Sequence, residues 1–179
     1  LSDGSSAVLS SDCRMQVALT HDERRIDLGR GEAFFEVSKG PDRPFVVSVG
    51  GRQVVAVGTR FSVRRDGADL RVVVTEGTVR LESGATAASG HTPTTLLKAG
   101  SVAHATSKGL LVRTGSVEEA ERQPDWRGGY LAFHDTPLSD ATAEFNRYNT
   151  RKMVIADAEV GAMRVGGNFR WSNTAAFVR

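Results

Sequence analysis

The sequence predicts a mainly β protein, in which a β-solenoid-like or sandwich domain is followed by a small α+β unit. Two observations carry this prediction. Up to residue 113, short runs alternate apolar and polar residues with period two, and most of the 19 glycines separate these runs. After Gly115 the apolar period lengthens to about 3.6 residues, which is typical of helices.

The composition is that of an ordinary globular chain and excludes several functional classes. Hydrophobic residues make up 40% and charged residues 25% of the 179, which excludes a disordered chain or a coiled coil. The net charge of +2 is too small for a nucleic-acid-binding footprint. No apolar stretch approaches the roughly 20 residues of a membrane helix. With one cysteine, Cys13, an internal disulfide is excluded.

The β domain reads as a series of short strands. Residues 24–28 and 33–37 are predicted as two strands with a glycine turn over residues 29–31 between them. Gly50-Gly51 predicts a tight hairpin between two further strands. Residues 84–95 are small and polar and are predicted as a mobile loop. The other predicted strands are residues 8–9, 15–19, 45–49, 52–57, 59–63, 71–74, 79–83, 96–103 and 110–113.

A weak internal repeat runs through this domain. Residues 25–37 align with residues 71–83, and Gly31 falls opposite Gly77. Each unit is a strand, a glycine turn and a second strand, so stacking would bury apolar faces that neither unit could bury alone. Convergence of two β-hairpins explains the same pattern, and the sequence leaves both readings open.

The C-terminal part carries helix signals. Ser116 and Glu119 form a capping box before a short helix. Residues 130–133 are a predicted strand, Thr136 a predicted N-cap and Pro137 the first helical residue. An apolar stripe predicts the helix that follows, and residues 153–156 predict a strand, so the expected arrangement is β-α-β. Residues 164–171 form another predicted strand, after which Asn173 caps a helix.

Few residues carry catalytic or metal-binding signals. The four histidines have no spacing that places two of them on one helix face, and there is no nucleophile elbow or phosphate loop. We therefore expect no metal, no cofactor, no small-molecule substrate and no enzyme acting on an external substrate.

Gly58-Thr59 could carry an intramolecular reaction. The Thr59 hydroxyl can attack the Gly58 carbonyl carbon if the backbone is strained, and the resulting ester can be hydrolysed. Glycine before the threonine permits unusual backbone angles. The alternative, which the sequence alone favours, is that Gly58 makes a bend between two strands.

Several motifs, in order, resemble FecR proteins, the transmembrane anti-sigma regulators of iron-siderophore uptake. The resemblance spans about residues 3–177. Its motifs are GEAFFEV at residues 31–37, PFVV at 44–47, VGTRFSV at 57–63, VTEGTV at 74–79, WRGGYLAF at 126–133, PL at 137–138 and FNRY at 145–148.

The resemblance implies a periplasmic location, with an inner-membrane helix and a cytoplasmic segment that are absent from this chain. The cytoplasmic segment would bind an extracytoplasmic-function sigma factor. The periplasmic part would receive a signal from the N-terminal signalling domain of an outer-membrane TonB-dependent transporter. Some family members are reported to cleave themselves between the residues that match Gly58 and Thr59.

The resemblance also sets the expected domains. Residues 1–114 would be the FecR-like β domain, residues 115–129 a linker with a short helix, and residues 130–179 a module like the secretin and TonB N-terminal (STN) domain, truncated at its C-terminus. The predicted partner-binding strand spans Arg164 to Trp171. Gly166 and Gly167 would allow the backbone of the partner to approach closely. Arg164 and Val165 belong to the same strand, and Phe169 and Trp171 would anchor the partner.

Three alternatives stay open. Phe169 and Trp171 could instead pack on the helix that bears Phe145 and Tyr148. The whole chain could be a periplasmic carbohydrate- or envelope-binding β domain, or a processing domain whose self-cleavage is its output.

Overall fold

A computed structural model describes residues 1–40, 42–84, 92–122 and 125–178. The described strands are β1 (Ser6–Leu9), β2 (Arg14–Leu19), β3 (Arg24–Glu36), β4 (Phe45–Val49), β5 (Arg52–Ala56), β6 (Arg60–Asp66), β7 (Asp69–Glu76), β8 (Thr78–Glu82), β9 (Thr94–Lys98), β10 (Ser101–Thr106), β11 (Gly109–Thr114), β12 (Tyr130–Pro137) and β13 (Arg164–Arg170). The α-helices are α1 (Val117–Arg122), α2 (Leu138–Tyr148), α3 (Ala158–Ala162) and α4 (Thr174–Phe177), and a 3-10 helix spans Asp125–Gly128.

The chain divides into two compact units, Leu1–Glu121 and Arg122–Arg179. The first unit contains β1 to β11, and its first described helix is α1. The predicted mainly β fold class is therefore confirmed. No helix in the described ranges is both long enough and apolar enough to cross a membrane.

The strands of the first unit form two layers that share β3. The first part of β3 lies between β2 and β4, in the layer β2-β3-β4-β5-β8-β9. Its last part lies between β1 and β6, in the layer β1-β3-β6-β7-β10-β11. All described pairings are antiparallel except that of β3 with β4. Strand β3 thus joins the two layers covalently.

One hydrophobic core lies between the layers. Phe35 of β3 packs against Phe45 of β4 with ring centroids 5.5 Å apart, and against Phe61 of β6 at 5.4 Å. All three rings are fully buried. Because these strands come from both layers, the aromatic cluster stabilises their packing directly.

The predicted break over residues 29–31 is wrong, because β3 is one continuous strand. Arg30 pairs with Arg14 and Leu28 pairs with Met15, so Gly29 is an extra residue in a β-bulge. Gly31 has φ +89°, and a Cβ there would lie 2.6 Å from Cys13 Cα. The bulge and this glycine bend the strand while its ladder continues on both sides.

The two aligned repeat units share a structural feature. In both units the chain passes between the layers near the matched glycine: within β3 at Gly31, and between β7 and β8 at Gly77, which has φ +78°. The predicted hairpin at Gly50-Gly51 is confirmed, since β4 and β5 pair directly and both glycines have positive φ. Most of the predicted loop over residues 84–95 lies outside the described residues, and its end belongs to β9.

The predicted capping box is also confirmed. The Ser116 N–H donates to Glu119 Oε2 at 3.2 Å, and the Glu119 N–H donates to Ser116 Oγ at 3.1 Å. Two orphan donors at the start of α1 are thereby satisfied. In the second unit, Asn173 caps α4 as predicted, accepting from the Ala176 N–H at 3.1 Å.

The second unit pairs β12 with β13 in an antiparallel two-stranded sheet. Between these strands the chain forms α2 and α3. The apolar side of α2 packs on the sheet through Ala141 and Phe145, which are fully buried. They form a cluster with the buried side chains of Leu131 and Phe133 of β12.

The strand predicted over residues 153–156 does not form, so the β-α-β arrangement is wrong. The Asn146 side chain takes both backbone groups of Met153: it accepts from the N–H at 2.8 Å and donates to the carbonyl at 2.8 Å. Asn146 thus replaces a neighbouring strand as the partner of this segment.

Helix α2 also begins one residue later than predicted. Pro137, not Thr136, occupies the N-cap position, and Leu138 is the first helical residue. The Thr136 hydroxyl is engaged with His134 instead, accepting from its N–H at 3.2 Å and donating to its carbonyl at 3.3 Å.

Candidate functional site

Gly58 and Thr59 form the corner at which the chain leaves β5 in one layer and enters β6 in the other. Gly58 has φ +68°, a backbone angle that glycine adopts readily and other residues do not. The side chain of Thr59 points inward, and the residue is 2% exposed. Its carbonyl accepts a hydrogen bond from the Val37 N–H at 2.9 Å, which fixes the corner against the end of β3.

Neighbouring residues leave no space for larger side chains at this corner. A Cβ on Gly58 would lie 2.5 Å from Lys39 Cγ. A Cβ on Gly77 would lie 2.8 Å from Thr59 Cγ2 and 3.3 Å from the Gly58 carbonyl oxygen. Gly58, which forms the Gly58–Thr59 peptide bond, and Gly77, which packs against it, therefore both have positive φ. The sequence alone did not reveal the role of Gly77.

The Thr59 hydroxyl oxygen is buried and has no hydrogen-bond partner among the described residues. Buried hydroxyls are normally hydrogen-bonded, so this atom requires an explanation. Because no described residue engages Oγ1, attack on the preceding carbonyl carbon, through a five-membered ring, would not first have to break a hydrogen bond to one of them.

Charged side chains surround the corner. Arg60 lies between two carboxylates, with its Nε 3.6 Å from Glu36 and its Nη1 3.1 Å from Glu76. Ser6 donates a further hydrogen bond to Glu36 at 3.3 Å. These side chains are about half exposed, so the ion pairs add little stability.

A cavity of about 220 Å³ opens beside the Gly58–Thr59 bond. Glu36, Glu76 and Lys39 line it together with Gly58 and Thr59. Sequence reasoning named no base for the hydroxyl proton. Glu36 and Glu76 share the cavity with Thr59 but make no hydrogen bond to its Oγ1, so either carboxylate would have to move closer to accept the proton. Their positions in separate strands gave no local motif; only the pairing of Arg60 with both Glu36 and Glu76 brings them together.

In the second unit, the predicted partner-binding residues lie on β13 or directly after it. Arg164 donates to the Asp135 carbonyl at 2.7 Å. Val165 is partly buried in the hydrophobic cluster of this unit, whereas Gly166 and Gly167 are exposed. Within the described ranges β13 pairs with β12 on one side, and its other edge has no strand partner.

Phe169 and Trp171 pack within their own unit. The Phe169 ring lies 6.1 Å from Phe133 and 6.3 Å from Phe145, while Trp171 stacks on Tyr148 at 5.6 Å. This is the arrangement of the alternative in which both aromatics pack on α2. Both side chains keep part of their surface exposed.

No group of three or more His, Cys, Asp or Glu side chains in the described part of the chain could hold a metal ion.

Comparison with known families concerns the part of the chain that contains the Gly58–Thr59 corner. Residues 1–80 match the family described as FecR protein. The predicted FecR resemblance is confirmed over these residues. The FecR match contains the complete corner, from Ser6 and Glu36 to Gly58, Thr59 and Glu76, and ends before the second unit.

The FecR region belongs to a fold that has been solved elsewhere. Two crystal structures, each of a "putative anti-sigma factor" from Parabacteroides distasonis ATCC 8503, are similar to the chain with TM-scores of 0.83 and 0.82. The sequence identities are 22% and 21%. Each match covers 99% of this chain, and 81% and 83% of the respective solved chain. No curated protein matches the chain.

Proposed function

We propose that this chain is the periplasmic, signal-receiving part of an anti-sigma regulator. The observation that carries the proposal is the FecR match over residues 1–80. The proposal is also supported by the fold that the chain shares with the two crystal structures described as anti-sigma factors. In this role the chain transmits a binding event and does not convert a substrate.

The finer proposal concerns the partners. The signal comes from the N-terminal signalling domain of an outer-membrane TonB-dependent transporter loaded with ferric siderophore. An inner-membrane helix and a cytoplasmic segment, both outside this sequence, connect the periplasmic part to an extracytoplasmic-function sigma factor. The FecR resemblance supports these partners.

Strand β13 is the proposed docking edge for the signalling domain. An edge strand offers N–H and C=O groups to which a partner strand can add. Arg164, Val165, Gly166 and Gly167 form the contact, and the packing of Phe169 and Trp171 holds the strand in place. A Cβ on Gly166 would lie 3.7 Å from the Phe133 carbonyl oxygen, an ordinary contact, so a side chain fits there without disturbing the fold.

Isothermal titration tests this docking edge. The chain is titrated with the signalling domains of the TonB-dependent transporters encoded in the same genome. We expect one of them to bind, and Gly166→Leu to weaken that binding by tenfold or more because the new side chain obstructs close approach. Gly128→Leu is the matched control, since Gly128 is exposed in the same unit and a Cβ there would lie 4.0 Å from Tyr130 Cδ2. Equal affinities of the three proteins would exclude β13, and failure of every signalling domain would overturn the transporter as partner.

A second candidate function is self-cleavage at Gly58–Thr59. It is favoured by the buried Thr59 hydroxyl, which has no hydrogen-bond partner in the described part of the chain and lies beside a corner glycine. Thr59 Oγ1 would attack the Gly58 carbonyl carbon while a carboxylate, Glu36 or Glu76, accepts its proton. The C–N bond breaks, the Thr59 nitrogen takes up a proton and becomes an amine, and an ester remains. Water then cleaves the ester, which leaves a Gly58 carboxylate and restores the Thr59 hydroxyl.

Denaturing mass spectrometry tests this reaction. We expect two fragments, one ending at Gly58 and one beginning at Thr59. They should be absent in Thr59→Ala and present in Thr59→Ser, which keeps a hydroxyl. Slower cleavage in Glu36→Gln or Glu76→Gln would identify the proton acceptor. A single intact mass after long incubation would reject self-cleavage in this protein.

A further inference from the structure

A polar row crosses the outer face of the layer β2-β3-β4-β5-β8-β9. Its members stand directly opposite one another in the strand registers: Gln16, Asp27, Ser48, Gln53, Glu82 and Thr94. Their neighbours along the strands, such as Ile26, Val47 and Val54, are fully buried, so the row points away from the core. Six hydrogen-bonding side chains in one line are therefore presented on one face of the sheet.

A cavity of about 650 Å³ lies over this row, within the range of small-ligand sites. All members of the row except Thr94 line it. The Ser48 hydroxyl oxygen is buried and has no hydrogen-bond partner among the described residues. The Asp27 carboxylate is exposed and makes no hydrogen bond or ion pair to another described residue. The Asp27 carboxylate is thus directly available to a ligand.

Positive charge borders the same cavity. Arg14, Arg52 and Arg65 line it, against the two carboxylates of Asp27 and Glu82. Glu82 is already paired with Arg80, which leaves a positive excess. Arginine side chains bind carboxylates through parallel N–H groups, so they favour a ligand that carries an acidic group.

We propose that this cavity binds an anionic saccharide, which is bound and released unchanged. The carboxylate and amides of Asp27, Gln16 and Gln53 suit the hydroxyl groups of sugar rings, since they accept and donate hydrogen bonds in a row. No aromatic side chain of the described chain lines the cavity, so recognition depends on hydrogen bonds and charge instead of ring stacking. This ligand goes beyond the proposed regulatory role and does not depend on it.

Solution NMR of the purified chain tests the proposal with three probes: trigalacturonate as the acidic saccharide, maltotriose as the neutral one and sulfate as a plain anion. We expect trigalacturonate to shift the amide signals of Asp27, Ser48 and Gln53, and to bind at least tenfold more tightly than maltotriose or sulfate. Absence of binding by trigalacturonate at millimolar concentration would overturn the proposal. Binding of sulfate with equal affinity would also overturn it, because the site would then recognise only charge.

Variants locate the site. Asp27→Asn keeps the shape of the side chain and replaces an acceptor oxygen by a donor, so it should weaken the binding of maltotriose, which carries no charge and depends on hydrogen bonds from its hydroxyl groups. Arg14→Gln should weaken trigalacturonate and leave maltotriose unchanged. Asp69→Asn is the matched control, since Asp69 is exposed and lies outside the cavity lining. Equal weakening by Asp27→Asn and Asp69→Asn would place binding elsewhere and reject the cavity, with thermal denaturation confirming that all variants fold.

Discussion

Arg24 and Asp3 form a buried ion pair, with Nη1 of the guanidinium 2.8 Å from the carboxylate and side chains 3% and 4% exposed. The same guanidinium donates to the carbonyls of Ser38 and Arg43 at 3.1 and 3.0 Å. It also lies over the Phe45 ring at 5.6 Å. The pair therefore ties three segments of the first unit together.

We expect Asp3→Asn to lower the free energy of unfolding by about 3 kcal/mol, because it leaves the Arg24 charge buried without its partner. Urea denaturation measures this change. Asp12→Asn is the control, since Asp12 pairs with Arg30 on the surface, with side chains 53% and 64% exposed. That control should lose less than about 1 kcal/mol. Equal losses would contradict the special role of burial.

The Asp3 pair should also make stability depend on pH. Burial raises the pKa of Asp3, but hydrogen bonds from Ser5 and Arg24 outweigh it and hold the pKa below its ordinary value of 3.8. The stabilisation is thus complete above the ordinary pKa and is lost as pH falls through the lowered one. The stability difference between the parent chain and Asp3→Asn should be constant above about pH 5 and shrink below about pH 4. A difference independent of pH down to acid unfolding would contradict this assignment.

Gly77→Ala should destabilise the first unit by about 2 kcal/mol or more. The new Cβ would lie 2.8 Å from Thr59 Cγ2, on a residue with φ +78°. Gly67→Ala separates the two causes, because Gly67 has φ +58° and no atom within 4 Å of such a Cβ. That control should lose only the backbone cost of about 1 kcal/mol. Thermal or urea denaturation of both variants gives the difference.

Thr59→Val should keep the stability or raise it by up to about 1 kcal/mol, because it removes a buried hydroxyl for which the described residues provide no hydrogen-bond partner. Thr59→Ser should lose about 1 kcal/mol through the missing methyl group. If the Gly58–Thr59 bond is cleaved, the two variants rank in the opposite order for cleavage, since the serine variant is cleaved and the valine variant is not. A large loss of stability in Thr59→Val would mean that the hydroxyl has a structural partner.

Trp171→Ala should unfold the second unit at lower temperature, because the indole stacks on Tyr148 and closes the cluster around Phe145. We expect the free energy of unfolding to fall by about 2–3 kcal/mol, as measured by near-ultraviolet circular dichroism. Trp171→Phe retains a stacking ring and should lose less than about 1.5 kcal/mol. Similar losses in both variants would contradict stacking as the cause.

Much of the first unit could be predicted from local pattern. Alternation located most of its strands, and paired glycines located the β4–β5 hairpin, because both signals depend on residues adjacent in sequence. The course of β3 could not be predicted in this way. Gly29 and Gly31 read as a turn, and only pairing with β2 on one side and β6 on the other shows that the strand continues.

The candidate site was predictable only in part. Gly58-Thr59 is adjacent in sequence and could be singled out, but Glu36 and Glu76 reach it through long-range strand pairing. In the second unit, residues 153–156 have the apolar content of a strand. The side chain of Asn146 decides their conformation, and that contact depends on how the chain folds back after α2.

The order of strands gives the Gly58–Thr59 corner a mechanical consequence. Strands β1 to β5 precede the corner and β6 to β11 follow it, yet each layer contains strands from both sides. Breaking that one bond would leave two interlaced pieces, held by the pairing of β3 with β6 and of β5 with β8. In the folded state such pieces would separate under a pulling force that unzips both pairings, so a cut at this corner would turn a covalent tether into one that yields to tension.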